Sequence, residues 1–271
     1  MEPMRQRDGG DGPGGSNPFG SRPPREPAIN VPPFLLAIVV LLAVMHVVVT
    51  HGPSWLGQEL FVNLAFIPVR LIASEAALAN FFIGPSWLSY GTLVTYGLLH
   101  GGWMHLAMNA LWLVTFGAPV VRRLGPQRFA ALLMAGTIAG ALTHLIVFWG
   151  SPAPLVGISA GVSAIMGGAA RFVFDPRAGS MFDAVRHPDL AGQRPLQSLR
   201  ELWSNPTVLV FCGLLIVSNL VFGAVSIPGV DGGSSIAWQA HVGGVALGCF
   251  GFPLIDPQPR APKRPPLRPV S

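Results

Sequence analysis

The sequence predicts an all-α membrane protein, a bundle of six transmembrane helices with both termini on the cytoplasmic side. Three observations lead to this fold class. Hydrophobic residues make up 51% of the 271-residue chain and charged residues only 11%, against a charged share of about 25% in soluble domains. Six apolar stretches are long enough to cross a hydrocarbon core about 30 Å thick. The cations concentrate in alternate connections between these stretches.

The predicted organisation has three parts. Residues 1–30 are polar and rich in Gly, Pro and Arg, so we expect a disordered tail. Residues 31–256 form the membrane domain, and residues 257–271 form a basic, Pro-rich tail. The expected membrane segments, numbered one to six, lie near 31–49, 93–121, 129–149, 156–174, 207–225 and 237–255. An apolar piece at 60–71 is too short and interrupted to span, which predicts an interfacial or re-entrant element.

The positions of the cations set the predicted topology. If the termini lie inside, every Lys and Arg except Arg70 falls in a tail or near a connection on the inner side. Cytoplasmic loops of membrane proteins have such an excess of Lys and Arg. Topology therefore accounts for the net charge of +5, and no nucleic-acid partner is expected. We expect a multi-pass protein of a bacterial inner membrane, surrounded by the lipid bilayer.

Polar side chains inside the predicted spans form the candidate site, because such groups are costly in a bilayer and usually functional. Segment two contains His105 and Asn109, which are four residues apart and so share one helical face. Segment four begins near Ser159, and segment six begins near His241. All three segments are expected to run from outside to inside, which puts these groups at a similar depth near the outer leaflet.

These residue types are suited to acyl transfer. A serine hydroxyl needs a base, and neutral imidazole can take its proton near neutral pH. An Asn amide and a second imidazole can donate hydrogen bonds to the developing oxyanion. The six predicted spans contain no Asp or Glu, so a Ser–His dyad is expected rather than a triad.

The order and spacing of these motifs resemble those of the rhomboid family of intramembrane serine proteases. The matching pattern, within roughly residues 31–256, is His100-x4-His105-x3-Asn109, Gly157-x-Ser159 and Ala240-His241-x2-Gly244-x3-Gly248. The resemblance implies that Ser159 is the nucleophile and His241 its general base. It implies an oxyanion hole made of His105, Asn109 and the Ser159 backbone N–H. It also implies a rhomboid-like six-helix bundle without a cofactor, which cleaves transmembrane segments of other membrane proteins near the outer face.

Four glycines and one histidine have supporting roles in this interpretation. Gly244 and Gly248 form a stripe at which segment six can approach another helix closely. Gly157 and Gly161 of segment four are the expected partner of that stripe. We expect His100 to stabilise the first loop by hydrogen bonding at least as much as to take part in the chemistry.

Three positions depart from the pattern common in the family. Ala160 occupies a position where many members have glycine, which is a small-for-small change. Ser163 occupies a position where an aromatic ring often packs on the catalytic histidine. Gly91-Thr92 replaces a Trp-Arg pair common in the first loop. The last two departures affect the orientation of the imidazole and the anchoring of the loop.

A soluble hydrolase fits the sequence less well. Residues 157–161 match the G-x-S-x-G of the nucleophile elbow, and Asp183 or Asp231 could complete a triad. The elbow requires a strand, a tight turn and a helix. Ser159 and His241 instead begin membrane-length apolar runs, so this interpretation is set aside.

Three other functional classes fit the sequence less well than a protease. No metal site is expected, because the histidine spacing differs from H-E-x-x-H and the spans lack a carboxylate. Broken helices in two related halves would indicate a transporter, and the sequence has no such repeat. The main alternative is a non-catalytic rhomboid-like protein that binds transmembrane clients, which would be expected to lack one member of the dyad. His46 and His51, at the outer end of segment one, are interpreted as interfacial.

Overall fold

The structure is a computed structural model that describes residues 31–80, 85–175, 194–224 and 237–257. The tail expected at 1–30 lies outside these residues, and so does nearly all of the tail expected at 257–271. Asp183 and Asp231 also lie outside them. Within the described ranges the chain is helical, without a strand beyond one isolated bridge. The predicted all-α fold is confirmed, whereas the number of membrane crossings and the side of the termini stay predictions.

The described helices fall into two groups along the chain. The first group is α1 (Pro33–His51), α2 (Ser54–Leu64), α3 (Glu75–Asn80) and α4 (Leu88–Thr95), with 3₁₀ turns at Pro68–Leu71 and Tyr96–Leu98. The second group is α5 (Trp103–Val147), α6 (Ser159–Ala170), α7 (Leu199–Trp203), α8 (Pro206–Ala224) and α9 (Trp238–Ile255). By length and apolar character, α1 and α5 are able to cross a membrane. The piece at 60–71 is divided between the end of α2 and the first 3₁₀ turn, and its interfacial position stays a prediction.

Helix α5 consists of two arms that meet at Gly125. This residue has φ 76° and ψ 164°, a conformation that side-chain-bearing residues rarely adopt. The arms, residues 103–124 and 126–147, fold back on each other. A Cβ atom placed on Gly117 of the first arm would lie 3.3 Å from the ring of Phe129 in the second. The two arms therefore correspond to predicted segments two and three.

The expected start of segment two near residue 93 is wrong. Helix α4 and the second 3₁₀ turn precede a break, because Leu99 and Gly102 both have extended backbone. The first arm begins only at Trp103. The pair Gly101-Gly102 explains the break, since glycine is unfavourable in a helix by about 1 kcal/mol per residue. His100 consequently lies in the connection before the arm and not in a helix.

Helix α6 is the central helix of the described fold. All of its 12 residues except Ser159 are buried, as expected of a helix that is apolar on every side. It packs against the second arm of α5 and against α9. Small residues allow these approaches, because interhelical backbone contact requires the absence of bulky side chains.

The glycine stripe of α9 does meet α6, but not at the expected glycines. A Cβ atom on Gly244 would lie 2.1 Å from the carbonyl oxygen of Ala160, and one on Gly248 would lie 1.9 Å from that of Ala164. Gly161 instead faces Leu133 and Thr137 of the second arm. Gly157 faces His105. The expected pairing of the stripe with Gly157 and Gly161 is therefore wrong, because those glycines point to other neighbours.

Candidate active site

The backbone that leads into α6 is hydrogen-bonded to the segment between α2 and the first arm of α5. Phe66 and Leu155 exchange two backbone hydrogen bonds of 3.2 and 2.8 Å, and the N–H of Val69 donates to the carbonyl of Ser151 at 2.9 Å. Closer to Ser159, the N–H of Gly157 donates to the carbonyl of Tyr96 at 3.0 Å. These bonds satisfy backbone groups that would be costly to leave unpaired. They also fix the path of the chain just before Ser159.

Ser159 is the first residue of α6 and contacts His241 of α9. Its Oγ lies 2.8 Å from Nε2 of His241, a hydrogen-bond distance between residues 82 positions apart in the sequence. Both residues are of intermediate burial. The N–H groups in the first turn of a helix lack intrahelical acceptors. The position of Ser159 at this helix end therefore suits a backbone donor for a developing negative charge.

His105 lies beside Gly157 and close to Ser159. A Cβ atom placed on Gly157 would lie 2.7 Å from Cε1 and 2.9 Å from Nε2 of His105, and 3.7 Å from Oγ of Ser159. Gly157 also has φ 110°, which disfavours any other residue. A side chain at this position would strain the backbone and occupy the space of the imidazole. Gly157 is thus required where the His105 ring approaches the end of α6.

His100 packs on His105 from the connection before the first arm. The two ring centroids are 5.2 Å apart in an edge-to-face arrangement. His100 is buried, in contrast to the partly exposed His105. The structure therefore joins Ser159 to His241 and His105 to His100, and Gly157 lies between the two pairs.

Asn109 lies one turn beyond His105 on the same arm. Its side chain is only 5% exposed, and its Nδ2 has no hydrogen-bond partner among the described residues. A buried donor without an acceptor costs about 1–3 kcal/mol. Such a group is suited to donate to a ligand atom that enters the site. Its action on an oxyanion at Ser159 stays a prediction.

Ser163 and Gly244 meet between α6 and α9, one turn beyond the Ser159–His241 pair. A Cβ atom on Gly244 would lie 3.1 Å from the Cβ of Ser163. Ser163 is buried at this contact. A small residue at position 163 therefore accompanies the close approach of α9, in place of aromatic packing.

Two contributing residues were not identified from the sequence. His46 is only 2% exposed, and its ring lies 4.6 Å, edge-to-face, from that of Trp103. His51 is exposed, and the interfacial position expected of both histidines stays a prediction. Tyr96 is 1% exposed and donates its hydroxyl to the carbonyl of Thr137 at 2.7 Å. A tyrosine within an apolar run was the available signal, since a buried phenol needs a partner.

The described residues offer no cluster of three His, Cys, Asp or Glu side chains that could hold a metal ion. In a comparison with protein families, the model of the Rhomboid domain matches residues 88–255, more than half of the chain. The matched region begins at α4 and ends with α9, so it includes Ser159, His241, His105 and Asn109. No curated protein matches the chain.

Proposed function

The chain belongs to the rhomboid family of integral membrane proteins, and we propose that it is an intramembrane serine endopeptidase. The observation that supports this proposal best is the 2.8 Å separation of Ser159 Oγ and His241 Nε2. A serine within hydrogen-bond reach of a base has the geometry of an activated nucleophile. Substrates are transmembrane segments of other membrane proteins, cleaved near the outer membrane face.

The reaction proceeds by acyl transfer through Ser159. Its Oγ attacks the carbonyl carbon of the scissile peptide bond while His241 Nε2 takes the hydroxyl proton. The oxyanion receives hydrogen bonds from His105, Asn109 and the Ser159 backbone N–H. The intermediate expels the amine, which takes the proton from His241. Water, deprotonated by the same imidazole, then attacks the acyl-enzyme. The resulting intermediate expels Ser159 Oγ, which takes the proton back from His241, and the carboxylic acid product is released.

The membrane setting belongs to the same proposal. We infer six membrane crossings with cytoplasmic termini in a bacterial inner membrane, from the cation distribution. In that topology the Ser159 end of α6 faces the outer side. The bilayer presents substrates to this end, and the reaction uses no cofactor or metal.

The second candidate function is a non-catalytic rhomboid-like protein that binds transmembrane clients. Membership of the family is compatible with both functions. The presence of both Ser159 and His241, at hydrogen-bond distance, favours the protease. A binding protein has no need for a base next to this hydroxyl.

The deciding experiment uses membranes that contain the protein and a single-span reporter with small residues near its outer boundary. We expect the wild-type protein to cleave the reporter and Ser159→Ala and His241→Ala to lose cleavage while remaining folded. Ser163→Ala is the matched control, since it removes a buried hydroxyl from the same helix one turn away, and should retain activity. Cleavage by either dyad variant would contradict the assignment. A folded wild-type protein that neither cleaves nor reacts with a fluorophosphonate probe would favour the binding protein.

A further inference from the structure

Gly140, on the second arm of α5, lies where three helices and a 3₁₀ turn converge. A Cβ atom placed on it would lie 2.3 Å from the Cβ of Ala160, 3.0 Å from the carbonyl oxygen of Ala240 and 3.2 Å from the hydroxyl of Tyr96. Gly140 is itself buried. Ala160 directly follows Ser159, and Ala240 directly precedes His241. The residues adjacent in sequence to Ser159 and to His241 therefore both pack against Gly140.

Tyr96 connects this point to the backbone before Ser159. Its hydroxyl donates to the carbonyl of Thr137, one turn before Gly140 on the same arm, at 2.7 Å. Its own carbonyl accepts the N–H of Gly157 at 3.0 Å. One buried residue thus joins the second arm of α5 to the chain two residues before Ser159.

We propose that Gly140 and Tyr96 are positioning residues that set the separation of Ser159 and His241. This inference rests on the proposed protease function. The two dyad residues belong to different helices, α6 and α9, and both helices contact the second arm at Gly140. Neither residue of this junction touches the reacting atoms. The junction acts by fixing the position of the Ser159 end of α6 relative to the His241 end of α9.

Packing explains why the junction is sensitive. Carbon atoms that are not bonded are in optimal contact at about 3.5–4 Å, so a methyl group 2.3 Å from the Ala160 Cβ forces a displacement of about 1 Å. The displaced residues adjoin Ser159 on one side and His241 on the other. A misplacement of about 1 Å at a reacting centre costs about 100-fold in rate. Gly140→Ala should therefore affect the chemistry more than its effect on stability alone would explain.

Gly136 provides a matched control on the same arm, one turn away. A Cβ atom placed there would lie 2.3 Å from the Cβ of Ala164, the same short distance as at Gly140. Its three nearest atoms all belong to α6, and none belongs to α9. Gly136→Ala therefore strains the contact of α5 with α6 to a similar extent without pressing on the helix of His241.

A compensating variant separates position from stability. Ala160→Gly removes the methyl group that lies 2.3 Å from the added Cβ, and glycine is the residue that many family members have at this position. The double variant Gly140→Ala/Ala160→Gly should thus recover most of the lost activity. Tyr96→Phe tests the other half of the junction, because it removes only the hydroxyl that donates to Thr137.

The test measures kcat and KM on the reporter, the rate at which a fluorophosphonate labels Ser159, and thermal unfolding, in the wild type and these variants. We expect Gly140→Ala to lower kcat and the labelling rate about 100-fold with little change in KM, and the double variant to regain most of both rates. Gly136→Ala should unfold at a similarly reduced temperature with kcat within about threefold of wild type. Tyr96→Phe should lower kcat severalfold, which corresponds to one hydrogen bond of about 1 kcal/mol.

The inference is overturned if Gly140→Ala and Gly136→Ala lower kcat equally, or if Ala160→Gly restores nothing. If Gly140→Ala fails to fold, the double variant and Tyr96→Phe provide the test. The inference is contradicted if Tyr96→Phe has wild-type rates and the double variant does not fold. An active wild type with a fully active Gly140→Ala refutes only this inference. A folded wild type that neither cleaves nor labels refutes the proposed function, and the junction with it.

Discussion

The buried polar groups near the two ends of α6 differ in whether they have hydrogen-bond partners. At the Ser159 end, helices meet through glycine and alanine, and the Nδ2 of the buried Asn109 has no partner among the described residues. At the other end, three buried arginines donate to carboxylate or carbonyl oxygens. These arginines, Arg123, Arg171 and Arg194, form what we name the arginine cluster. A buried amide nitrogen without a partner among the described residues thus lies where chemistry is proposed, whereas the buried arginines at the other end are hydrogen-bonded.

The arginine cluster joins four parts of the chain. Arg171 follows the last residue of α6 and donates to the carbonyl of Gln197 at 2.9 and 2.8 Å and to that of Cys249 in α9 at 2.5 Å. Arg123 of the first arm pairs with Asp256 at 2.9 and 2.7 Å and donates to the carbonyl of Arg194 at 2.6 Å. Charge-assisted bonds of this kind are roughly twice as strong as neutral ones. They fix α9 to α6 at the end away from His241.

The largest expected effect concerns the stability provided by the arginine cluster. Arg123→Ala removes the partner of the buried Asp256 carboxylate, and breaking a buried ion pair costs about 3–5 kcal/mol. We expect denaturation in detergent at a clearly lower denaturant concentration, with kcat of the folded fraction near the wild-type value. Arg123→Ala/Asp256→Ala should lose less, because no buried carboxylate is left without its arginine. If Arg123→Ala is as stable as the wild type, the arginine cluster does not anchor the helices, and the two ends of α6 do not differ in this respect.

A pair of buried asparagines tests the contrast directly. Asn109, at the Ser159 end, is 5% exposed, and Asn205, near the arginine cluster, is 4% exposed. Asn109→Ala should lower kcat about 100- to 1000-fold, the cost of removing one oxyanion donor. Its stability should stay level or rise, because the variant removes a buried amide whose Nδ2 is unpaired among the described residues. Measurement of kcat and of unfolding for the same variant distinguishes these two effects.

Asn205→Ala is expected to have the opposite profile. The Nδ2 of Asn205 donates to the carbonyl of Phe174 at 2.6 Å, and its Oδ1 accepts the N–H of Thr207 at 3.0 Å. Its loss leaves buried backbone groups with fewer partners, at a cost of about 1–3 kcal/mol, and should leave kcat unchanged. If Asn109→Ala destabilises the protein and spares kcat, Asn109 is structural and the comparison fails.

The sequence predicted the composition of the Ser159 end better than its packing. Polar residues in apolar runs are conspicuous, so Ser159, His241, His105 and Asn109 could be selected. The family match confirms that the chain belongs to the rhomboid family. Their catalytic roles stay predictions. Helical periodicity indicates which residues share a face, but not which neighbour covers it. The prediction that the Gly244 stripe packs on Gly157 and Gly161 is therefore wrong.

The arginine cluster shows a different limit of sequence interpretation. The sequence identifies Arg123, Arg171 and Arg194 only as cations on the inner side, and arginines near connections are ordinarily exposed to solvent. Their burial depends on carbonyl oxygens supplied by distant parts of the chain, such as Cys249 and Gln197. Nothing in a local pattern encodes such a partner. The burial of His46 has the same origin, since its ring packs on Trp103, which lies 57 residues further along the chain.

The smallest expected effect concerns α7, which lies next to the arginine cluster. Ser198 caps this helix: its Oγ accepts the N–H of Glu201 at 3.2 Å, and the Glu201 carboxylate accepts the N–H of Ser198 at 2.7 Å. Ser198→Ala should cost about 1 kcal/mol. The loss should stay local, because the backbone of the preceding residue, Gln197, remains bonded to Arg171.

Hydrogen exchange measures this local loss. We expect faster exchange within residues 198–204 in Ser198→Ala, together with wild-type kcat and an almost unchanged global unfolding transition, since local openings need not report on global stability. Ser198→Asp keeps an oxygen that can cap the helix and is the control, with exchange close to wild type. A fall in kcat in Ser198→Ala, absent from Ser198→Asp, would mean that the two ends of α6 are coupled. In that case the arginine cluster would help to set the Ser159–His241 geometry as well as the stability of the fold.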